Sequence, residues 1–190
     1  RELFDLNRET PETRKRYGPK QLGQSALLAR RLVEGGVRTV LVRFKGWDHH
    51  ESIARAMTYG FPPKLGALDQ AVTALHEDLA RRGLDERVTV VLASEFGRTP
   101  RINPRGGRDH WARASSVLLF GGGVRRGVVV GKTDANGEAP IERPVSPADL
   151  FCTLLGALGA DLEQVQHTPD GRPVRTVNES AKPIHELLQS

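Results

Sequence analysis

A chain of 190 residues with 38% hydrophobic content suits one domain, or a large piece of one, with a real core; no apolar run nears the roughly 20 residues that span a bilayer. Its one cysteine, Cys152, excludes an internal disulfide and any cysteine-rich zinc site. The net charge of +5 and pI near 9.8 raise nucleic acid as a partner, but the arginines are scattered apart from Arg98, Arg101, Arg105 and Arg108. No RNA-binding signature or aromatic-interleaved basic helix accompanies them, so the charge reads as a cationic surface or a local anion pocket.

The chain begins at Arg1 and its one methionine is Met57, so it is expected to be a fragment or processed product, with any leader upstream. Thr10-Pro11-Glu12 reads as an N-cap followed by proline at the first helical position, opening a short helix to about Tyr17. A longer helix is predicted from Lys20 to Glu34, with Leu22, Ala26, Ala29, Leu32 and Val33 on one face and Gly35-Gly36 as its stop. Thr39 to Phe44 is β-branched and apolar, the pattern of a strand in a covered sheet. From Lys64 to Arg82, Leu65, Leu68, Val72, Leu75 and Leu79 alternate spacings of three and four and predict a helix that Gly83 ends.

Val88 to Ser94 and Ser116 to Phe120 are the next predicted strands, and Val128 to Val130 a short one beyond the Gly121-Gly122-Gly123 turn. Asp134 to Gly137 reads as another turn. Ser146-Pro147 caps a helix to about Leu158 with Leu150, Phe151, Leu154 and Leu158 inward, which buries the Cys152 thiol. A last short helix is expected near Pro183 to Leu188. Helices alternating with apolar strands predict a layered α/β domain, a sheet with helices on both faces, running through residues 1–190. Such sheets carry their sites where strands end.

Three polar clusters occupy such positions. Asp48, His49 and His50 follow the first strand, and a carboxylate and an imidazole two residues apart offer the O/N donor mixture that hard or borderline divalent ions accept. Glu95, in Ser94-Glu95-Phe96-Gly97-Arg98-Thr99-Pro100, emerges from an apolar strand where an unpaired charge is costly, so it should meet a cation: Arg98 in a structural role, a metal in a catalytic one. In Gly106-Gly107-Arg108-Asp109-His110-Trp111 the glycines let the backbone approach closely, Arg108 can take a phosphate or sulfate bidentately, and His110 can ligate or move a proton. The first and third clusters also have a plain reading as turns, with Asp48 or Asp109 bonded to backbone amides and Trp111 closing a small core. Three in one chain, two of them in one long connection, favour a site. His76 is expected on the surface, while His167 and His185 belong to no partnered motif. The glycine triplet lacks the spacing of a dinucleotide loop, and no Gly-x-Ser-x-Gly elbow is present.

Gly46-Trp47-Asp48-His49-His50, Ser94 to Pro100 and Gly107-Arg108-Asp109-His110-Trp111 together resemble the hallmarks of the bacterial domain-of-unknown-function family 1501. The likeness also takes in the Leu22 to Gly36 helix, Leu68-Asp69-Gln70 and the Gly121 to Gly131 hairpin. That family is grouped with sulfatases in the alkaline phosphatase superfamily. The resemblance implies the C-terminal portion of an alkaline phosphatase/sulfatase-like α/β domain. It implies metal-dependent hydrolysis of sulfate or phosphate esters with a divalent ion, Zn, Ca, Mg or Mn. Asp48, His50, Glu95 and His110 would be ligands or near-ligands, Arg98 and Arg108 would hold the anion, and the nucleophile would come from outside this chain. Phe96 stands where the superfamily carries the histidine of an Asp-His pair, which leaves a non-catalytic anion- or glycan-binding descendant as the alternative. The expected partner is an anionic ester or glycan, with no nucleic acid and no membrane, and the resemblance suggests export.

Overall fold

Thr10 opens the first long element as its chemistry requires. Its hydroxyl accepts a bond from the Thr13 amide at 3.1 Å, and with Pro11 in the first turn α1 runs over Pro11–Tyr17. The computed structural model describes residues 2–189. Four further helical stretches follow: α2 (Gln21–Glu34), a three-residue α3 (Ile53–Arg55) that passes through a π-helical turn (Ala56–Gly60) into α4 (Phe61–Arg81), and α5 (Pro147–Ala157). The strands are Thr89–Leu92 (β1), Gly97–Arg98 (β2), His110–Trp111 (β3), Leu118–Gly121 (β4), Lys132–Thr133 (β5), Pro140–Glu142 (β6), Val165–His167 (β7) and Pro173–Arg175 (β8). The chain is thus mixed α/β. It forms two compact units, one of residues up to Val88 with Arg101–Asp109, the other of Thr89–Pro100 with His110 onward.

In the first unit, α1, α2 and α4 enclose Tyr17, Leu22, Ala26, Leu27, Ala71 and Ala74, with Leu6, Val42, Phe44, Leu68 and Leu75 packed against them. Only part of the leucine row expected from spacing, Leu79 fully and Leu68 and Leu75 in part, belongs to the buried face of α4. The buried residues of that face are Ala67, Ala71, Ala74, Asp78 and Leu79, while Leu65 is 52% exposed. Small side chains let α2 and α4 approach closely, and the helix is turned so that Asp78 meets a buried partner. That partner is Arg30, 1% exposed, whose guanidinium lies 2.7 Å from Glu9, 2.6 Å from Glu34 and 3.0 Å from Asp78. Tyr17 donates its hydroxyl to Asp78 Oδ2 at 3.0 Å, and Arg82 reaches Asp78 at 3.2 Å and Glu34 at 2.7 Å. Burial alone would raise the Asp78 carboxyl, but Arg30, Tyr17 and Arg82 outweigh it and hold it below the usual range. Burial and the neighbouring Asp78 charge push the Tyr17 hydroxyl up.

Thr39 to Phe44 is not a strand. Burial alternates along it, with Val40, Val42 and Phe44 partly covered and Leu41 83% exposed, so its side chains keep the two-residue period. Among the described residues, however, no second strand pairs with it. Val42 and Phe44 lie on the helical core, and that packing decides the conformation in place of a ladder.

In the second unit, β1 and β4 pair antiparallel with Val90 opposite Phe120, and β2 pairs with β3, β5 with β6 and β7 with β8. The strand expected at Val128 to Val130 forms instead at β5, where Lys132 faces Glu142; Val129 is 90% exposed. Ser146 and Asp149 form a reciprocal capping box on α5, as a serine before a helical proline invites. The inward residues of α5 are Cys152 and Thr153 rather than Phe151 and Leu158, which are 53% and 63% exposed. Thr153 is buried because it has polar work to do: its hydroxyl accepts from the Ile184 amide at 2.8 Å and donates to the Asp149 carbonyl at 2.6 Å. Cys152 is a buried free thiol, as expected, and burial pushes its pKa up. His185–Leu187 closes the described chain as a single 3-10 turn. No helix among the described residues is long and apolar enough to cross a membrane.

Candidate metal centre

In the first unit the segment after Phe44 is anchored by aromatic contacts. Trp47 packs edge-on to Phe44 at 5.5 Å and against Phe61 at 5.4 Å, and His49 meets Phe61 edge-on at 4.9 Å. Lys64 donates to the Gly46 carbonyl from α4 and lies 5.5 Å from the Trp47 ring. These contacts leave the Asp48 and His50 side chains to reach outward, 59% and 34% exposed.

The hairpin Arg101–Asp109 lies directly beside this segment. Ile53 N donates to Gly106 O at 2.7 Å and Arg108 N to His49 O at 3.0 Å, and Glu51 bridges Gly106 in antiparallel fashion. Gly107 is required by space: a Cβ there would overlap the His50 carbonyl carbon and the Glu51 amide nitrogen. The close approach foreseen for these glycines is therefore to the chain's own backbone.

Asn103 organises the hairpin. Its Oδ1 accepts from the amides of Arg105 at 3.0 Å and Gly107 at 2.9 Å, while its Nδ2 donates to His50 O at 3.0 Å and Asp109 Oδ1 at 3.1 Å. Neither Asn103 nor Asp109 stood among the predicted site residues. The sequence did carry a signal for Asn103, an asparagine before proline two residues ahead of a glycine pair, the composition of an Asx turn.

The result is a carboxylate–imidazole–carboxylate row. His50 Nδ1 lies 2.8 Å from Asp109 Oδ1, and His50 Nε2 lies 3.0 Å from Asp48 Oδ1. The bond from His50, followed by that from Asn103, holds the Asp109 carboxyl below its ordinary value. An anionic Asp109 favours the tautomer with its proton on Nδ1, which leaves the Nε2 lone pair beside Asp48. Two donors each ~2.1 Å from one cation at about 90° stand ~3.0 Å apart, so the Asp48–His50 pair has the bite of a metal chelate. The same pair is a hydrogen bond when His50 is protonated, so proton and cation compete for one nitrogen. The donor set fits a divalent cation.

His49 adds an oddity: its Nε2 is buried without a hydrogen-bond partner among the described residues. The predicted anion-holding residue Arg108 belongs to this unit, on the hairpin that carries Asp109.

The other predicted residues belong to the second unit. Glu95 is exposed and forms no ion pair among the described residues. Water already solvates it, which removes the desolvation cost that called for a cation. Arg98 does not pair with Glu95; its guanidinium sits 5.7 Å from the Phe96 ring and its backbone stands opposite His110 in the β2–β3 ladder. The His110 ring stacks on Phe96 with centroids 4.4 Å apart. Gly97 is needed in that ladder, since a Cβ would overlap the Ala114 carbonyl. Trp111 donates its indole N–H to Glu138 O at 2.8 Å.

A mixed α/β chain with a carboxylate-oriented histidine beside a second carboxylate is, as a class, a candidate metalloprotein. It belongs to the family described as protein of unknown function (DUF1501), whose model matches residues 1–188. No curated protein and no solved structure matches the chain.

Proposed function

We propose that this chain forms part of a metal-dependent hydrolase acting on sulfate or phosphate esters. The observation that carries this reading is the orientation of His50: Nδ1 bonded to Asp109 at 2.8 Å, Nε2 presented to Asp48 at 3.0 Å. Metal-ligating histidines are held in this way by a carboxylate on the far ring nitrogen. Asp48 and His50 would be ligands. Glu95 and His110 join the proposed set on their place in the sequence motifs, His110 following Asp109 by one peptide bond. A divalent ion there, Zn, Ca, Mg or Mn, would polarise the ester oxygen and offset developing negative charge. Arg98 and Arg108 are proposed to hold the anion, for which a planar guanidinium offers paired donors.

The finer fold is proposed with it: β1 and β4 belong to a larger layered sheet of the alkaline phosphatase/sulfatase kind. Val91 and Leu118 in this strand pair are 38% and 53% exposed, apolar surface that a covering layer would hide.

The test is turnover of the full protein on aryl sulfates and phosphate mono- and diesters, with EDTA and with each ion restored. The expected result is chelator-sensitive hydrolysis that Asp48→Ala lowers by about a hundredfold or more. Turnover that ignores both EDTA and Asp48→Ala overturns the reading. A second reading, a non-catalytic binder of an anionic glycan, is favoured by one observation. Phe96, a side chain with no donor atom, covers one face of the His110 ring. A protein that takes up no divalent ion yet binds sulfated glycans would support that reading.

A further inference from the structure

A cleft of about 680 Å³ opens beside the Asp48–His50 pair, lined further by Ser52, Arg55, Tyr59 and Arg105. This volume lies within the ~300–1,000 Å³ of small-ligand sites. Two of its residues are arginines: Arg105, from the arginine concentration of the sequence, and Arg55, which nothing in the sequence marked. Arg55 and Arg105 are both exposed, and neither forms an ion pair among the described residues.

Their backbones are tied together through Ser52. Ser52 N donates to Arg105 O at 3.3 Å, and Ser52 O accepts from Arg55 N at 3.0 Å. Ser52 itself is left-handed, at φ 51° and ψ 38°, a conformation that a non-glycine residue keeps only where its surroundings impose it. The next segment departs from regular geometry too. The π-helical turn Ala56–Gly60 adds a residue to the winding, and Tyr59, four positions after Arg55, lines the same cleft and is 75% exposed. Strained backbone and π-turns concentrate at functional sites. Here both occur in the nine residues 52–60, which bring the Arg55 guanidinium and the Tyr59 ring to the cleft that Arg105 also lines.

Asp48 and Glu51 also line the cleft. Bound divalent charge would offset them and leave a net cationic recess. We propose that Arg55 and Arg105 form an anion subsite next to the candidate metal centre, with Tyr59 as the platform for a sugar ring. The ligand is a saccharide carrying at least two sulfate or phosphate groups, one at the metal end and one on the arginines. An exposed aromatic ring in the cleft that two arginines line favours a sugar over a bare polyanion, because a pyranose has an apolar face to stack and a duplex does not. The inference deepens the proposed hydrolase reading by naming its substrate class, and it stands or falls on a separate measurement.

That measurement is calorimetric titration of the full protein, at fixed ionic strength with Mn²⁺ present, using a disulfated disaccharide, its monosulfated counterpart and a short DNA duplex. The disulfated sugar is expected to bind about tenfold or more tightly than the monosulfated one. Arg55→Ala with Arg105→Ala removes that preference, Arg→Lys at both restores part of it, and Tyr59→Ala weakens both sugars alike. Hydrolysis of a small aryl sulfate or phosphate by the double arginine variant is unchanged. Equal affinity for one and two sulfates, or a preference that survives the double variant, overturns the subsite. So does tighter binding of the duplex than of the sugar, independent of Tyr59. Arginine-dependent selectivity without chelator-sensitive turnover would keep the subsite and remove the hydrolase.

Discussion

His50 Nδ1 and Asp109 Oδ1 stand 2.8 Å apart across 59 positions of sequence. This one bond orients the imidazole, lowers the Asp109 carboxyl and leaves Nε2 to face Asp48. Its removal should therefore change metal affinity without removing any ligand.

Asp109→Asn is expected to weaken divalent binding by about 10–100-fold, the usual effect of losing the partner of a ligating histidine. Titration with Mn²⁺ or Zn²⁺ at pH 7.5, with thermal melting as a folding control, measures it. Unchanged affinity in a folded variant would show that Nε2 is not a ligand.

Gly107→Ala should be more damaging than its size suggests. The added Cβ meets the His50–Glu51 backbone rather than a flexible side chain, so the hairpin or the site segment has to move. Loss of metal affinity together with a fall in stability of about 1–3 kcal/mol is expected for such overpacking. Gly66→Ala on α4 is the control for alanine in place of glycine outside the site, with no atom within 4 Å of its added Cβ and no left-handed backbone to strain. A Gly107→Ala variant that binds metal normally would mean the hairpin does not position His50.

Arg30→Ala removes the cation shared by Glu9 and Asp78, whose side chains are 8% and 4% exposed, and leaves Glu9 to Arg31 and Asp78 to Arg82. Breaking one partner of a buried ion network costs about 3–5 kcal/mol. Urea unfolding followed through Trp47 fluorescence in a Trp111→Phe background reads it, and a change below about 1 kcal/mol would make the network dispensable.

The same network sets an acid limit. Burial pushes Glu9 up, but Arg30 and Arg31 outweigh it and hold its carboxyl below 4.5; Asp78 is likewise held below 3.8. A depressed carboxyl stabilises the fold above its unfolded pKa and loses that contribution as pH falls through its folded pKa. The Trp47-detected urea midpoint should therefore be flat for these groups from pH 7 to about 5 and fall below about 4.5. Asp78→Asn should shrink the acid-dependent part; an identical slope in the variant would assign acid lability elsewhere.

Much of the helical framework was legible because its signals are local. The Thr10 cap with Pro11, the glycine after Glu34 and the Ser146–Asp149 box each act within one turn. The faces of α4 and α5 were not, because apolar spacing carries no information about a buried ion pair or a threonine that caps a distant amide. Asp78 and Thr153 take buried places on these helices, leaving Leu65 of α4 and Phe151 and Leu158 of α5 exposed. Thr39 to Phe44 failed as a strand for a related reason: β-branched residues permit extension, but a ladder needs a neighbour. At the site, Asp48 and His50 were chosen for their chemistry and Arg105 was counted only in an arginine concentration, whereas Asn103 and Arg55 escaped notice.

What the sequence determined by itself was therefore the family, the capped starts of α1 and α5, the glycine stop of α2 and the donor types, all written in short contiguous motifs. Only the tertiary structure decided that Asp109 would face His50 and that Ser52 would join two arginines. Both relations depend on two loops, distant in the chain, sharing hydrogen bonds where Gly107 allows them to touch.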